Sequence, residues 1–164
     1  MFLRLALGAA FLSAVADRFG LWGAYGQPNV AWGDFARFVA YTGKLNWFAP
    51  AGLVLVLAWA ATVAETVLGL ALIVGIFTRL AAFWSGLLLL LFALSMTYSL
   101  GVKAPLNFSV FSASAGAFLL AAYRKTPISV DAWRFKRRFS AARRVNGSDS
   151  NAINERSLKN EQSA

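Results

Sequence analysis

Four long apolar runs restrict what this chain can fold into more than any other feature. They cover residues 2–22, 51–77, 80–100 and 106–123, and the second contains a single charged residue, Glu65. Each run is close to the ~20 residues that a helix needs to cross ~30 Å of hydrocarbon. All four lack the alternation of a barrel strand, and helices are the other structure that satisfies backbone groups in lipid. The sequence therefore predicts an all-α membrane protein with a bundle of four transmembrane helices.

The composition of the chain excludes most alternatives to a membrane protein. Charged residues make up 14% of the 164 residues, against roughly 25% in a soluble domain. Cys and His are both absent, which rules out disulfides, iron–sulfur clusters, histidine-ligated haem, typical zinc sites and Ser–His–Asp catalysis. We therefore expect no intrinsic cofactor and no metal site.

Positive charge is concentrated directly after the last apolar run. Residues 124–148 carry eight Lys and Arg against one Asp, whereas residues 1–123 carry six against three acids. The chain is accordingly divided into a transmembrane domain (1–123), a basic juxtamembrane segment (124–145) and a tail (146–164). The polar composition of the tail is typical of disorder.

The basic juxtamembrane segment interleaves bases with aromatic residues, a pattern that suits anionic lipid of the inner leaflet. Nucleic acid is the other partner for such a pattern, but attachment to a transmembrane helix favours lipid. The predicted lipid-binding residues are Arg134, Lys136, Arg137, Arg138, Arg143 and Arg144.

The distribution of bases also predicts an orientation. If four helices cross the membrane, Arg4, Arg79 and the basic segment fall on one side, and the positive-inside rule makes that side cytoplasmic. Both termini are then cytoplasmic, and residues 23–50 and 101–105 face outward. We expect a multi-pass protein of the cytoplasmic membrane of a bacterium or archaeon.

The first outward loop contains a helical pattern over residues 34–42. Asp34 is a suitable N-cap, apolar residues recur at helical spacing, and Gly43 is a suitable C-cap. This pattern predicts a short interfacial helix on the outer leaflet, and an ordinary packed loop is the alternative.

The first apolar run has a second interpretation. Arg4, the apolar residues 5–12 and the triplet 14–16 are also typical of a signal peptide cleaved before Asp17. Cleavage would leave three helices and an external N-terminus. The pattern alone leaves both interpretations open.

Glu65 lies near the middle of its run, where burying a carboxylate costs about 2.5 kcal/mol or more. It should therefore face other helices and be paired, either as a lock between helices or as a ligand or proton site. Arg4 is the predicted partner, because its long guanidinium reaches inward from the inner end of the first helix. The small residues on the same helix face are Ala58, Ala61, Thr62 and Gly69.

A second group of polar residues is predicted near the outer surface. Asp17 and Arg18 lie close to the outer end of the first helix. Tyr98, Lys103 and Asn107 fall at a similar depth around the turn before the fourth helix. These five side chains are candidates for one outward-facing polar pocket.

Several of these residues resemble the DoxX family of small four-helix membrane proteins. The first helix carries Arg4 and Gly8, like that family's first-helix arginine and glycine, and Asp17-Arg18-Phe19 resembles the segment with its later basic residue. Residues 65–79 match the pattern E-x-x-x-G-x-x-L-x-x-G-x-x-T-R, which is the most specific similarity. Residues 129–132 resemble a terminal S-L-D-A motif, although residues 124–127 replace the glycines that precede it in the family.

The resemblance implies that the first helix is retained. The family includes subunits associated with archaeal quinol oxidase and with thiosulfate:quinone oxidoreductase, so it implies a non-catalytic accessory subunit of a membrane redox complex. A bound quinone is then the candidate ligand, and redox subunits or a second copy are candidate partners. The alternatives are a small-molecule or proton carrier using Glu65, and a structural or assembly protein with no ligand.

Overall fold

The computed structural model describes residues 1–123, and these residues form helices and turns with no strand. The predictions for the basic segment 124–145, its lipid-binding residues and the tail 146–164 lie outside the described residues. The helices are α1 (Phe2–Arg18), α2 (Phe35–Leu45), α3 (Ala51–Val74), α4 (Thr78–Leu100), α5 (Lys103–Asn107) and α6 (Val110–Ala122).

Two of these helices are long and apolar enough to cross a membrane. α3 has 24 residues and α4 has 23, each with a mean hydropathy of 2.0. α1 has 17 residues and α6 has 13, and a 13-residue helix is only ~20 Å long. The all-helical fold is thus confirmed, while the four-span arrangement stays a prediction.

The fourth apolar run is divided between two helices, whereas its hydropathy predicts one continuous helix. Ser109 has φ 55°, in the left-handed region, and its backbone N–H donates to the carbonyl oxygen of Leu106 at 3.0 Å. This turn separates α5 from α6, because a non-glycine residue in the left-handed region cannot continue a right-handed helix.

α1 and α3 are antiparallel and approach closely at two glycines. A Cβ atom on Gly8 would lie 2.9 Å from the carbonyl oxygen of Gly69 and 2.7 Å from Cγ1 of Ile73. At the other end of α1, Arg18 contacts Thr62. Small residues allow backbones to meet in this way, so the glycine contact fixes the register between the two helices.

α6 lies antiparallel to α4 and is joined to it by two hydrogen bonds. Ser114 Oγ donates to the carbonyl oxygen of Gly86 at 2.8 Å, and Arg79 Nε donates to that of Ala121 at 3.1 Å. α3 also contacts α4, and α1 contacts α6. The core between these four helices comprises Leu7, Phe11, Leu72, Ala81, Ala82, Ala117 and Leu120.

α2 confirms the short helix predicted in the first loop. Asp34 caps it, since its Oδ1 accepts from the backbone N–H of Arg37 at 2.8 Å. One face is buried through Phe38 and Thr42. The last residue of the helix, Leu45, accepts a hydrogen bond from Ser99 Oγ of α4. α2 therefore packs on the helices rather than lying free in the loop.

We expect Gly8→Ala to lower the free energy of unfolding by about 1–3 kcal/mol, because the new methyl group must push α1 away from the backbone of α3. Gly52→Ala is the matched control, because nothing lies within 4 Å of a Cβ built there. Thermal unfolding in detergent measures both. Equal effects at the two positions would show that α1 and α3 do not meet at Gly8.

Candidate functional site

A buried ion pair joins α1 to α3. Nη2 of Arg18 donates to both carboxylate oxygens of Glu65, at 2.6 and 2.7 Å. Nη1 of the same guanidinium donates to Thr62 Oγ at 2.9 Å. Both charged side chains are only 2% exposed. Burial of a charge is tolerated when it is paired and hydrogen-bonded in this way.

The predicted partner of Glu65 is therefore corrected from Arg4 to Arg18. In the structure Thr62 lies opposite the last residue of α1, so residues 51–61 of α3 extend beyond α1 by roughly 16 Å. Glu65 is one helical turn from Thr62 and within reach of the Arg18 side chain.

Aromatic rings cover the remaining side of the Arg18 guanidinium. Its Cζ atom lies 3.7 Å from the ring centroid of Phe38 and 5.5 Å from that of Trp32. The two rings meet edge to face, with centroids 5.2 Å apart. A desolvated cation–π contact contributes about 2 kcal/mol. The group is thus enclosed by Glu65 and Thr62 on one side and by the rings of Phe38 and Trp32 on the other.

Asp17, next to Arg18 in the chain, holds the loop that carries Trp32. Its Oδ2 accepts from the backbone N–H groups of Ala31 and Trp32, each at 3.0 Å. Its Oδ1 is buried and has no hydrogen-bond partner among residues 1–123. The sequence did not predict that Asp17 holds this loop. Its partners are backbone N–H groups, and no residue type in the sequence marks such partners.

The structure does not bring the five predicted outer residues into one pocket. The hydrogen bonds of Asp17 and Arg18 go to the loop and to α3, as described above. Lys103 and Asn107 begin and end α5, with exposed side chains. Their part in ligand binding stays a prediction.

Tyr98 lies instead on an open groove between the end of α2 and α4. The groove has a volume of about 490 Å³. Its hydroxyl-bearing residues are Ser95 and Tyr98, and Tyr98 is 71% exposed. The other lining residues are Leu45, Asn46, Phe48 and Leu94.

Arg4 is buried, as predicted for an intramembrane polar residue, but not beside Glu65. It is 4% exposed and shares the buried face of α1 with Leu7, Gly8 and Phe11. Its Nε and Nη1 atoms have no hydrogen-bond partner among the described residues.

The ion pair between Arg18 and Glu65 is suited to holding α1 against α3. Both oxygens of Glu65 are occupied by Arg18, and aromatic rings separate the pair from the outside. No group of three or more His, Cys, Asp or Glu that could hold a metal occurs within residues 1–123.

We expect Arg18→Gln and Glu65→Gln each to lower the free energy of unfolding by about 3–5 kcal/mol, because each leaves an unpaired buried charge. The double variant should recover part of that loss, since neither charge then remains. Thermal unfolding of the purified protein in detergent measures all three variants.

Arg37→Gln is the control for this series. Arg37 pairs with Asp34 at the surface, where the loss of an ion pair costs about 1 kcal/mol or less. If Glu65→Gln were as mild as Arg37→Gln, the buried pair would not be holding α1 on α3.

Comparison with known families supports the similarity noted in the sequence. A family model described as DoxX matches residues 1–99, a region that contains α1, α2, α3 and nearly all of α4. Comparisons with curated proteins and with solved structures gave no match. With most of its length covered by the family model and with two helices able to span a bilayer, the chain belongs to the DoxX family and is a membrane protein of that family.

Proposed function

We propose that this chain is a non-catalytic accessory subunit of a quinone-linked redox complex in the cytoplasmic membrane of a bacterium or archaeon. Family membership is the starting point, and the groove beside Tyr98 is the observation that carries the proposal. The chain has no Cys or His, so its contribution is binding and positioning rather than electron transfer through a protein-ligated metal.

The chemistry of the groove suits a quinone. Quinone oxygens accept hydrogen bonds, and the hydroxyl groups of Tyr98 and Ser95 are donors. Leu45, Phe48 and Leu94 supply apolar surface for a ring and an isoprenoid chain. The volume of about 490 Å³ falls in the range of roughly 300–1,000 Å³ that is typical of small-molecule sites. Tyr98 and Ser95 would hold the quinone, which supplies two-electron redox chemistry when bound.

The carrier alternative receives less support from the site. A solute or proton carrier needs a carboxylate that a ligand can reach, whereas Glu65 is 2% exposed and bound to Arg18 through both oxygens. An assembly or structural role without a ligand is the remaining alternative, and bound quinone together with copurified redox subunits distinguishes the accessory role from it.

Four membrane crossings with both termini in the cytoplasm are part of the same proposal. The antiparallel pairs α1–α3 and α4–α6 support it, and so does the position of Arg4 and Arg79 at one end of the helices. α5 and α6 together cover residues 103–122, which is close to the length of a crossing. The bases between Arg134 and Arg144 would then face anionic lipid on the cytoplasmic side.

The proposed topology predicts opposite labelling of two single cysteines. The natural chain has none, so Gln27→Cys should react with an impermeant maleimide added outside intact cells. Ser150→Cys should react only after the cells are opened. Labelling of both cysteines from the same side would contradict four crossings.

For the ligand, we expect about one quinone per protein after mild extraction, and about fivefold less in Tyr98→Phe, because one hydrogen bond to the quinone is lost. Chromatography of the extracted lipids measures the ratio. Tyr123→Phe is the matched control, since Tyr123 is similarly exposed, at 64%, but lies at the other end of the helices.

Mass spectrometry of the same extract identifies proteins that copurify. Redox subunits together with quinone would support the accessory role. If neither is found and Tyr98→Phe changes nothing, the assembly or structural role is favoured.

A further inference from the structure

Arg4 is a buried cation with an unexplained electrostatic cost. It lies in the first turn of α1 and is 4% exposed. Nε and Nη1 of its guanidinium have no hydrogen-bond partner in residues 1–123. A charge removed from water is strongly destabilising unless a counter-charge is supplied, so an acceptor for this group is missing from the described part of the chain.

The three carboxylates of residues 1–123 are all engaged elsewhere. Glu65 binds Arg18, Asp34 caps α2 and pairs with Arg37, and Asp17 accepts two backbone N–H groups. Arg18 and Asp17 lie about fourteen residues along α1 from Arg4, or roughly 21 Å. The acceptor for Arg4 must therefore come from outside this set.

The register between α1 and α3 places Arg4 at the end of the helix bundle where α1 begins and α3 ends. Gly8 lies against Gly69 and Ile73, so Arg4, one turn earlier on α1, lies level with the last residues of α3. The neighbouring Leu3 lies against Gly116 of α6. In a membrane-spanning protein, the end of an apolar helix such as α3 lies at the boundary between hydrocarbon and headgroups.

We propose that Arg4 is a binding site for the phosphate group of an anionic phospholipid. A guanidinium donates charge-assisted hydrogen bonds to phosphate oxygens, and Nη2 is the Arg4 nitrogen that is not among the fully buried ones. Apolar side chains for acyl chains surround this end, since Phe2 is 86% exposed and Leu80 and Val74 also face outward. Arg79 adds a second, exposed positive charge at the same end. The inference depends on membrane placement and not on the proposed redox role.

The test uses the full chain, purified and stripped of lipid in dodecyl maltoside. Phosphatidylglycerol should raise its Tm by roughly 5–10 °C at a hundredfold excess over Kd, whereas diacylglycerol, which lacks the phosphate, should not. In Arg4→Gln the shift should disappear, and the lipid-free Tm should equal or exceed that of the natural protein, because an unpaired buried charge has been removed.

Two further variants test whether the Tm shift depends on the Arg4 guanidinium itself. Arg4→Lys keeps the charge but loses the planar donor set, so it should retain only part of the shift. Lys44→Gln removes an exposed positive charge from the last turn of α2, at the opposite end of the helices from Arg4, and should retain the full shift if the lipid acts through Arg4.

Three results would overturn the proposal. The first is a phosphatidylglycerol shift that persists in Arg4→Gln. The second is Arg4→Gln lowering the lipid-free Tm or preventing folding, as expected if Arg4 had an acceptor within the protein; the same effect in Asp131→Asn would identify that acceptor. The third is inorganic phosphate reproducing the whole shift, which would make the ligand a free anion rather than a lipid.

Discussion

The contact of the Arg18 guanidinium with the Glu65 carboxylate determines how the first half of the chain is arranged. Each charge in an apolar interior would cost several kcal/mol if left unpaired, so the two helices that carry them are stable only in the register that joins them. α2 then covers the guanidinium with Phe38, and Asp17 holds the loop that supplies Trp32. The first loop is therefore ordered by two adjacent charges on α1.

The same register depends on backbone contact as well as on charge. Gly8 and Gly69 let α1 and α3 approach closely, nearly three helical turns along α1 from Arg18. The contact between Gly8 and Gly69 leaves no room for a larger side chain, and the Arg18 guanidinium needs the Glu65 carboxylate as its counter-ion. Sliding α1 along α3 would therefore lose both contacts at once. α2 connects this interface to α4, because Leu45 at its end accepts from Ser99 beside the groove that contains Tyr98.

Sequence reasoning predicted the helices and the burial of Glu65, because apolar run length and the cost of a buried carboxylate are local properties. It also predicted α2, whose cap is visible at Asp34. It could not predict that Arg18 is the partner of Glu65, since helix register depends on where α1 ends relative to α3. The break at Ser109 was also missed, because a left-handed backbone at a serine has no signature in hydropathy.

The separation of Arg18 and Glu65 in the sequence has a consequence for biosynthesis. The two residues are 47 positions apart, and the chain is made from its N-terminus. α1 therefore leaves the ribosome with Asp17 and Arg18 at its end and no carboxylate on α3 to receive the guanidinium. A charged helix end of this kind is poorly stable in an apolar interior without its counter-charge. Stable burial of Arg18 must wait for α3, which makes the two helices a single folding unit although a long loop separates them.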